Sequence, residues 1–256
     1  YLFGGHVTSW KDAEGNERLF MSRNAIFDGV TPLRGGVPLV FPQFAERGDL
    51  PKHGLVRNAM WAVEHTERLD TGQARMMLEI QDSDRSRRLW PWAFDMHLEI
   101  LLGDSLRMSM TVINRHSQPM KFTCAFHTYF NVADITRTAV ENLKGCTYID
   151  SVNACQKVVD QAEAVRFETE TDRIYLDVPE ELAIADEAAG RRILIRKQDM
   201  AEAVVWNPWV AKAHAIEDMA DEEYREFVCV ETANIEPPLE LAPDKSWTGV
   251  QELRVE

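Results

Sequence analysis

The chain has 256 residues, 45% of them hydrophobic and 27% charged, with 28 basic against 42 acidic side chains for a net charge of −14. That apolar content excludes an intrinsically disordered chain. The acidic balance opposes binding to a phosphate backbone, and no apolar run approaches the ~20 residues needed to cross a bilayer. All-β chains of this length commonly form one domain, so a single domain over residues 1–256 is expected.

In chain order, the first unusual segment is Arg34–Phe44, RGGVPLVFPQF. Adjacent Gly35 and Gly36 permit tight backbone geometry and close approach of a ligand. Pro38 and Pro42 are out of place in a central strand, so this backbone should line an edge or a pocket. Leu50–Asn58, LPKHGLVRN, follows. Arg34, Lys52, His53 and Arg57 together concentrate cationic character in an acidic protein. Arginine grips a phosphate through paired N–H donors and lysine adds a point charge; surface salt bridges are the alternative. Arg85, Arg87 and Arg88 read as a solvated loop with internal ion pairs.

Period-two alternation then dominates. Leu98, Ile100 and Leu102 fall on one face of a strand, Gly103-Asp104 supplies a turn, and Leu106, Met108, Met110 and Val112 continue the pattern. Lys121–Asn131, KFTCAFHTYFN, is an apolar strand ending in His127 among aromatics. A lone histidine there is either a satisfied core residue or a proton donor. Asp172 opens a further strand and carries little signal alone. The acidic stretch Asp177–Ala189 reads as a loop or edge hairpin, and Arg192–Arg196 as an alternating strand.

A helix is expected from Pro208 through Met219, with Asn207 as its cap, and a short helical turn over Asp221–Arg225. Trp206 and Trp209 are candidates to stack on a sugar face or to pack in the core. Phe227–Asn234, FVCVETAN, interrupts an apolar strand with Glu231. That carboxylate either points to solvent or is buried for a purpose, because burial is costly without a partner. Counting alternating runs gives about fifteen strands against few short helices, which predicts an all-β antiparallel sandwich.

The four cysteines, Cys124, Cys146, Cys155 and Cys229, lack CxxC spacing. Cys124 and Cys229 lie in apolar strand patterns and read as buried thiols, and neither a disulfide framework nor a metal site is expected. His6, His65, His97, His116 and His214 lack metal-ligand spacing. No signal peptide is visible, a cytoplasmic location is expected, and an extension before Tyr1 is left open.

Taken in order, RGGVPLVFPQF, LPKHGLVRN, FHTYFNV, VVWNPW and FVCVETANI resemble the aldose 1-epimerase (mutarotase) superfamily, in its hexose-6-phosphate 1-epimerase branch. The resemblance runs from Leu2 to Val255. It implies a large twisted antiparallel β-sandwich, galactose mutarotase-like, acting as a monomer without cofactor or metal. The implied substrate is a small-molecule hexose phosphate, with no nucleic-acid or membrane partner. His127 would be the catalytic acid and Glu231 the base, with Arg34, Arg57 and Asp172 contacting substrate. Lys52 stands where the branch commonly has glutamine, which changes that contact from amide to cation. His53 is assigned to binding, and Asp172 to orienting sugar hydroxyls or holding the charge state of His127. The competing expectations are a mutarotase for unphosphorylated aldoses and a non-catalytic sugar-binding protein.

Overall fold

The computed structural model describes all residues from Tyr1 to Glu256. The expected antiparallel sandwich is present. One sheet has the strand order Leu39–Val40, Met120–Phe126, Phe227–Leu241, Glu202–Asn207, Thr171–Leu176, Thr147–Asp150, Gln156–Val159, with Tyr129–Asn131 also paired to Phe227–Leu241. The other runs Ala164–Arg166, Thr138–Glu141, Glu181–Asp186, Arg191–Gln198, Ser246–Val255, Leu106–Asn114, Phe94–Leu102, Ala74–Gln81, Ala62–Arg68. No helix is long and apolar enough to cross a membrane.

The alternation seen in sequence is the cause of this packing. Leu106, Met108, Met110 and Val112 are all buried, since every second side chain of a strand faces the same way. In the eight-stranded sheet, Phe126, Tyr175, Val205 and Val230 join the large core. Their neighbours Ala125, Ile174, Val204 and Ala233 form a smaller cluster on the opposite face. Glu231 is in register with Val204, so its side chain lies on that second face. The N-terminal segment crosses one end of it, where Phe20 stacks on Phe227 at a centroid distance of 4.7 Å.

Four expectations need correction. Asp177–Ala189 contains Glu181–Asp186, an interior strand rather than an edge, with Leu182, Ala183 and Ile184 fully buried. Its acids mislead because they are paired: Glu181 with Arg196 at 2.7 Å and Asp186 with Arg191 at 2.9 Å. The helix after Pro208 covers only Trp209–His214. The chain then turns, and Asp218 folds back to Arg34 at 3.0 Å. The short helical turn is present as Glu223–Glu226. The arginines at 85, 87 and 88 lie on a helix, Asp84–Leu89, started by a Ser83 capping box.

The glycines of RGG are the fourth correction. They serve approach of the protein's own backbone. A Cβ on Gly35 would lie 2.4 Å from the Phe20 carbonyl oxygen, and one on Gly36 would lie 2.4 Å from that of Val7. Neither lines the main cavity; Arg34 beside them does. Pro38 and Pro42 behave as expected, because the apolar run yields only the two-residue edge strand Leu39–Val40.

Candidate active site

A cavity of about 450 Å³ opens on the second face of the eight-stranded sheet. All seven residues singled out by sequence line it: Arg34, Lys52, His53, Arg57, His127, Asp172 and Glu231. They come from separate parts of the chain. Arg34 follows the N-terminal crossing, Lys52, His53 and Arg57 come from one loop, and Asp172 and Glu231 from two strands of the sheet.

His127 Nδ1 lies 3.3 Å from Glu231 Oε1, with the two side chains 9% and 2% exposed. The pair is not aligned as a hydrogen bond, and both His127 Nδ1 and Glu231 Oε2 lack a hydrogen-bond partner. Other buried glutamates behave differently. Glu223 accepts from Ser22 Oγ and from the backbone N–H groups of Arg23 and Ala220, and Glu202 accepts from the Ile235 N–H. Buried polar groups are ordinarily satisfied, so an orphaned carboxylate oxygen marks a place for a ligand. Arg57 Nε is orphaned as well, so three of the five such atoms in the molecule belong to residues of this one cavity.

Burial pushes the Glu231 carboxyl well above the ordinary 4.5, and the negative charge of Asp172 adds to it. Burial likewise drives His127 well below 6.5, helped by His53, Arg57 and Arg34. Burial therefore favours the neutral form of both groups, a protonated glutamate beside a neutral imidazole. The charge of Asp172 thus acts on the carboxylate of the pair. Asp172 sits 4.0 Å from Lys212, and burial raises its own pKa.

The imidazole of His127 is held by aromatic neighbours. Tyr129 stacks on it almost parallel at 4.9 Å, and Trp206 meets it edge-on at 6.0 Å. Trp206 thus lines the cavity while packing in the core. Trp209 is not in the cavity wall and packs on buried Tyr224 at the edge of the core.

His53 is neutral, driven down to about 3 by burial and then by Arg57, Lys52 and Arg34. Its Nδ1 accepts from the Ala45 N–H at 3.3 Å, which leaves the proton on Nε2 as a donor. The backbone there is left-handed at His53 (φ 64°) and Gly54 (φ 77°). A Cβ on Gly54 would lie 2.2 Å from the Phe41 carbonyl oxygen. Gly54→Ala is therefore expected to destabilise the fold by about 2–3 kcal/mol, read as a lower midpoint in urea.

The cations are not equivalent. Arg34 donates through Nε to Asp218 at 3.0 Å and through Nη1 to Tyr129 Oη at 3.1 Å. Arg57 has no carboxylate partner and donates only to the Lys52 carbonyl, at 2.8 Å. Burial and the charge of Arg34 bring Arg57 down to about 10. A crowded, uncompensated guanidinium in an acidic protein is suited to an anion. Lys52 lines the wall but is exposed.

Arg47, Lys212, Asp218 and Ser151 also line the cavity and were not read from sequence. Lys212 pairs with Glu170 at 2.7 Å and Arg47 with Glu236 at 3.0 Å. The only sequence signal of Arg47, Lys212 and Asp218 is a charge on a helix or loop, which by default means solvent, and Ser151 carries none. His97 meets Glu64 and Glu79 across three strands with potential ligand atoms within 4.8 Å, an arrangement its sequence spacing hides. None of the three lines the cavity.

The family model described as aldose 1-epimerase matches residues 1–254. A protein of Cenchrus ciliaris named "Putative glucose-6-phosphate 1-epimerase" is 38% identical over 257 residues, covering 97% of this chain and 78% of the relative. One of the same name from Escherichia coli (strain K12) is 34% identical, covering 99% and 85% respectively. The crystal structure of a "putative mutarotase" from Salmonella typhimurium matches with a TM-score of 0.92 at 32% identity, over 99% of this chain and 85% of that one. A family pattern spanning almost the whole chain, carried on the same fold, leads to one conclusion: the chain belongs to the aldose 1-epimerase family.

Proposed function

We propose that this enzyme interconverts the α and β anomers of a hexose 6-phosphate, with D-glucose 6-phosphate as its substrate. The observation that carries this is the pairing of an orphaned His127–Glu231 couple with an uncompensated Arg57 in one cavity. The names of the relatives from Cenchrus ciliaris and Escherichia coli support the same substrate.

In ring opening, Glu231 takes the proton of the C1 hydroxyl while His127 gives one to the ring oxygen. The pair then holds its single proton on Glu231 beside a neutral imidazole, the form that burial favours. Burial thus stabilises the complex of the open aldehyde. The sugar must first draw the proton onto His127, by solvating both ions with its hydroxyl groups. Rotation about C1–C2 turns the aldehyde, Glu231 returns its proton to the carbonyl oxygen, and His127 accepts the proton of the C5 hydroxyl as the ring closes. Each step is a proton transfer by a positioned group. His53 Nε2–H and Asp172 orient sugar oxygens, while Arg34 and Arg57, with Lys52 at the rim, hold the phosphate.

The test is the catalysed anomer-exchange rate on glucose 6-phosphate against glucose. A kcat/KM at least about 10-fold higher for the phosphate is expected from its charge-assisted hydrogen bonds. Equal values would remove phosphate recognition from the proposal.

The proton on Glu231 also has a cost in stability. A carboxyl whose folded pKa is raised contributes least above that value: stability is full below the ordinary 4.5 and is lost as pH rises toward the folded value. Glu231→Gln escapes that loss. It is expected to raise the Tm by about 2–6 °C at pH 7, with the gain fading as pH falls toward 4.5. A Tm below wild type at pH 7 would contradict the raised pKa.

A further inference from the structure

We propose that Gln251, on the opposite sheet and outside the cavity wall, is the positioning residue that sets the separation of His127 and Glu231. The inference rests on the acid–base role given to that pair. Gln251 lies on Ser246–Val255 and is fully buried. Its Nε2 donates to Thr128 Oγ1 at 2.8 Å, and its Oε1 accepts from Thr232 Oγ1 at 3.2 Å. The Thr128 hydroxyl is also 3.2 Å from Oε1. Thr128 follows His127 and Thr232 follows Glu231 directly in the chain. Successive side chains of an extended segment point to opposite faces. One amide between the sheets therefore holds the residue behind the histidine and the residue behind the glutamate at once.

The backbone leaves that task open. Pairing between Met120–Phe126 and Phe227–Leu241 runs through Phe126 and Thr232, and the same register resumes at Tyr129 and Cys229. It lapses between them, at His127 and Thr128. There the His127 N–H donates to the Pro38 carbonyl at 2.9 Å and the Thr128 N–H to the Phe126 carbonyl at 3.0 Å. Across this gap the side-chain tie through Gln251 takes the place of ladder hydrogen bonds. An apolar residue of similar length would fill the same volume, whereas a buried amide is costly unless it is bonded. Misplacing a catalytic group by about 1 Å can cost on the order of 10² in rate, so such a tie acts on chemistry more than on binding.

The test compares Gln251→Met, which keeps the length and removes the tie, with Gln251→Glu. Burial keeps the carboxyl introduced by Gln251→Glu protonated, so that side chain retains a donor and an acceptor. Gln251→Met is expected to lower kcat for anomer exchange about 10- to 100-fold with KM within about twofold, and Gln251→Glu to stay within about fivefold of wild type. The imidazole nitrogen-15 resonances of His127 should move in the methionine variant and stay near wild type in the glutamate variant. Where Gln251→Met does not fold, Thr232→Val removes half of the tie and should shift the same resonances. A folded variant lacking the tie, with wild-type kcat and unmoved His127 resonances, would overturn the inference, as would parallel changes in kcat and KM. Should wild type itself fail to accelerate exchange, the proposed activity falls, and the His127 resonances alone decide whether Gln251 positions the pair.

Discussion

Glu231→Gln and His127→Ala are each expected to lower kcat for anomer exchange by about 10²–10⁴ with little change in KM. The glutamine keeps the shape of the side chain and its place in the strand, so the loss reports the missing proton carrier. Because Glu231→Gln should also be more stable than wild type at neutral pH, its inactivity cannot be attributed to unfolding. The two groups handle one shared proton 3.3 Å apart, so they should fail as a unit. The double variant is expected to fall no further than about the worse single variant. Near-normal activity in either single variant would remove the role assigned to that residue, and a fully multiplicative double loss would argue against a shared proton.

Arg57→Met is expected to raise KM for glucose 6-phosphate about 10- to 150-fold, the range for losing hydrogen bonds to a charged group, while kcat and the rate on free glucose change little. Arg34→Met should raise KM in the same range for a second reason. It strips Asp218 of its partner at 3.0 Å and leaves that carboxylate facing the phosphate. Adding Asp218→Asn to Arg34→Met should then recover part of the loss, because it removes the repulsion. An equal loss on phosphorylated and free sugar would show that these arginines support the cavity wall instead.

Much of the architecture was legible because strands announce themselves by a period of two. Leu106 to Val112 needed nothing more than alternation to be placed facing the core. The acidic hairpin around Glu181 was misread because its charges are neutralised by Arg191 and Arg196, partners that a local pattern does not reveal. In the site, the combination of motifs drew attention to six of the seven proposed residues, and Asp172 entered only through the family resemblance. Glu231 and Glu223 are both buried, although only Glu231 stands among apolar residues in sequence. Their partners also distinguish them: three donors serve Glu223, while one oxygen of Glu231 has none.

What stayed hidden was contact across long stretches of chain. Asp218 pairs with a residue 184 positions away, and it lay where a helix was expected to continue. Thr128, Thr232 and Gln251 are polar residues beside His127, Glu231 and Glu252, a setting that a local pattern reads as solvent-facing. Here their side chains point into the core, where they satisfy one another.

Two-dimensional exchange NMR of the glucose 6-phosphate anomers at equilibrium tests the central claim most directly. Catalytic amounts of the protein should strengthen the cross-peaks between α and β C1 protons in proportion to protein concentration, and the Glu231→Gln variant should not. Exchange that stays at the spontaneous rate while glucose 6-phosphate binds to the cavity would contradict it.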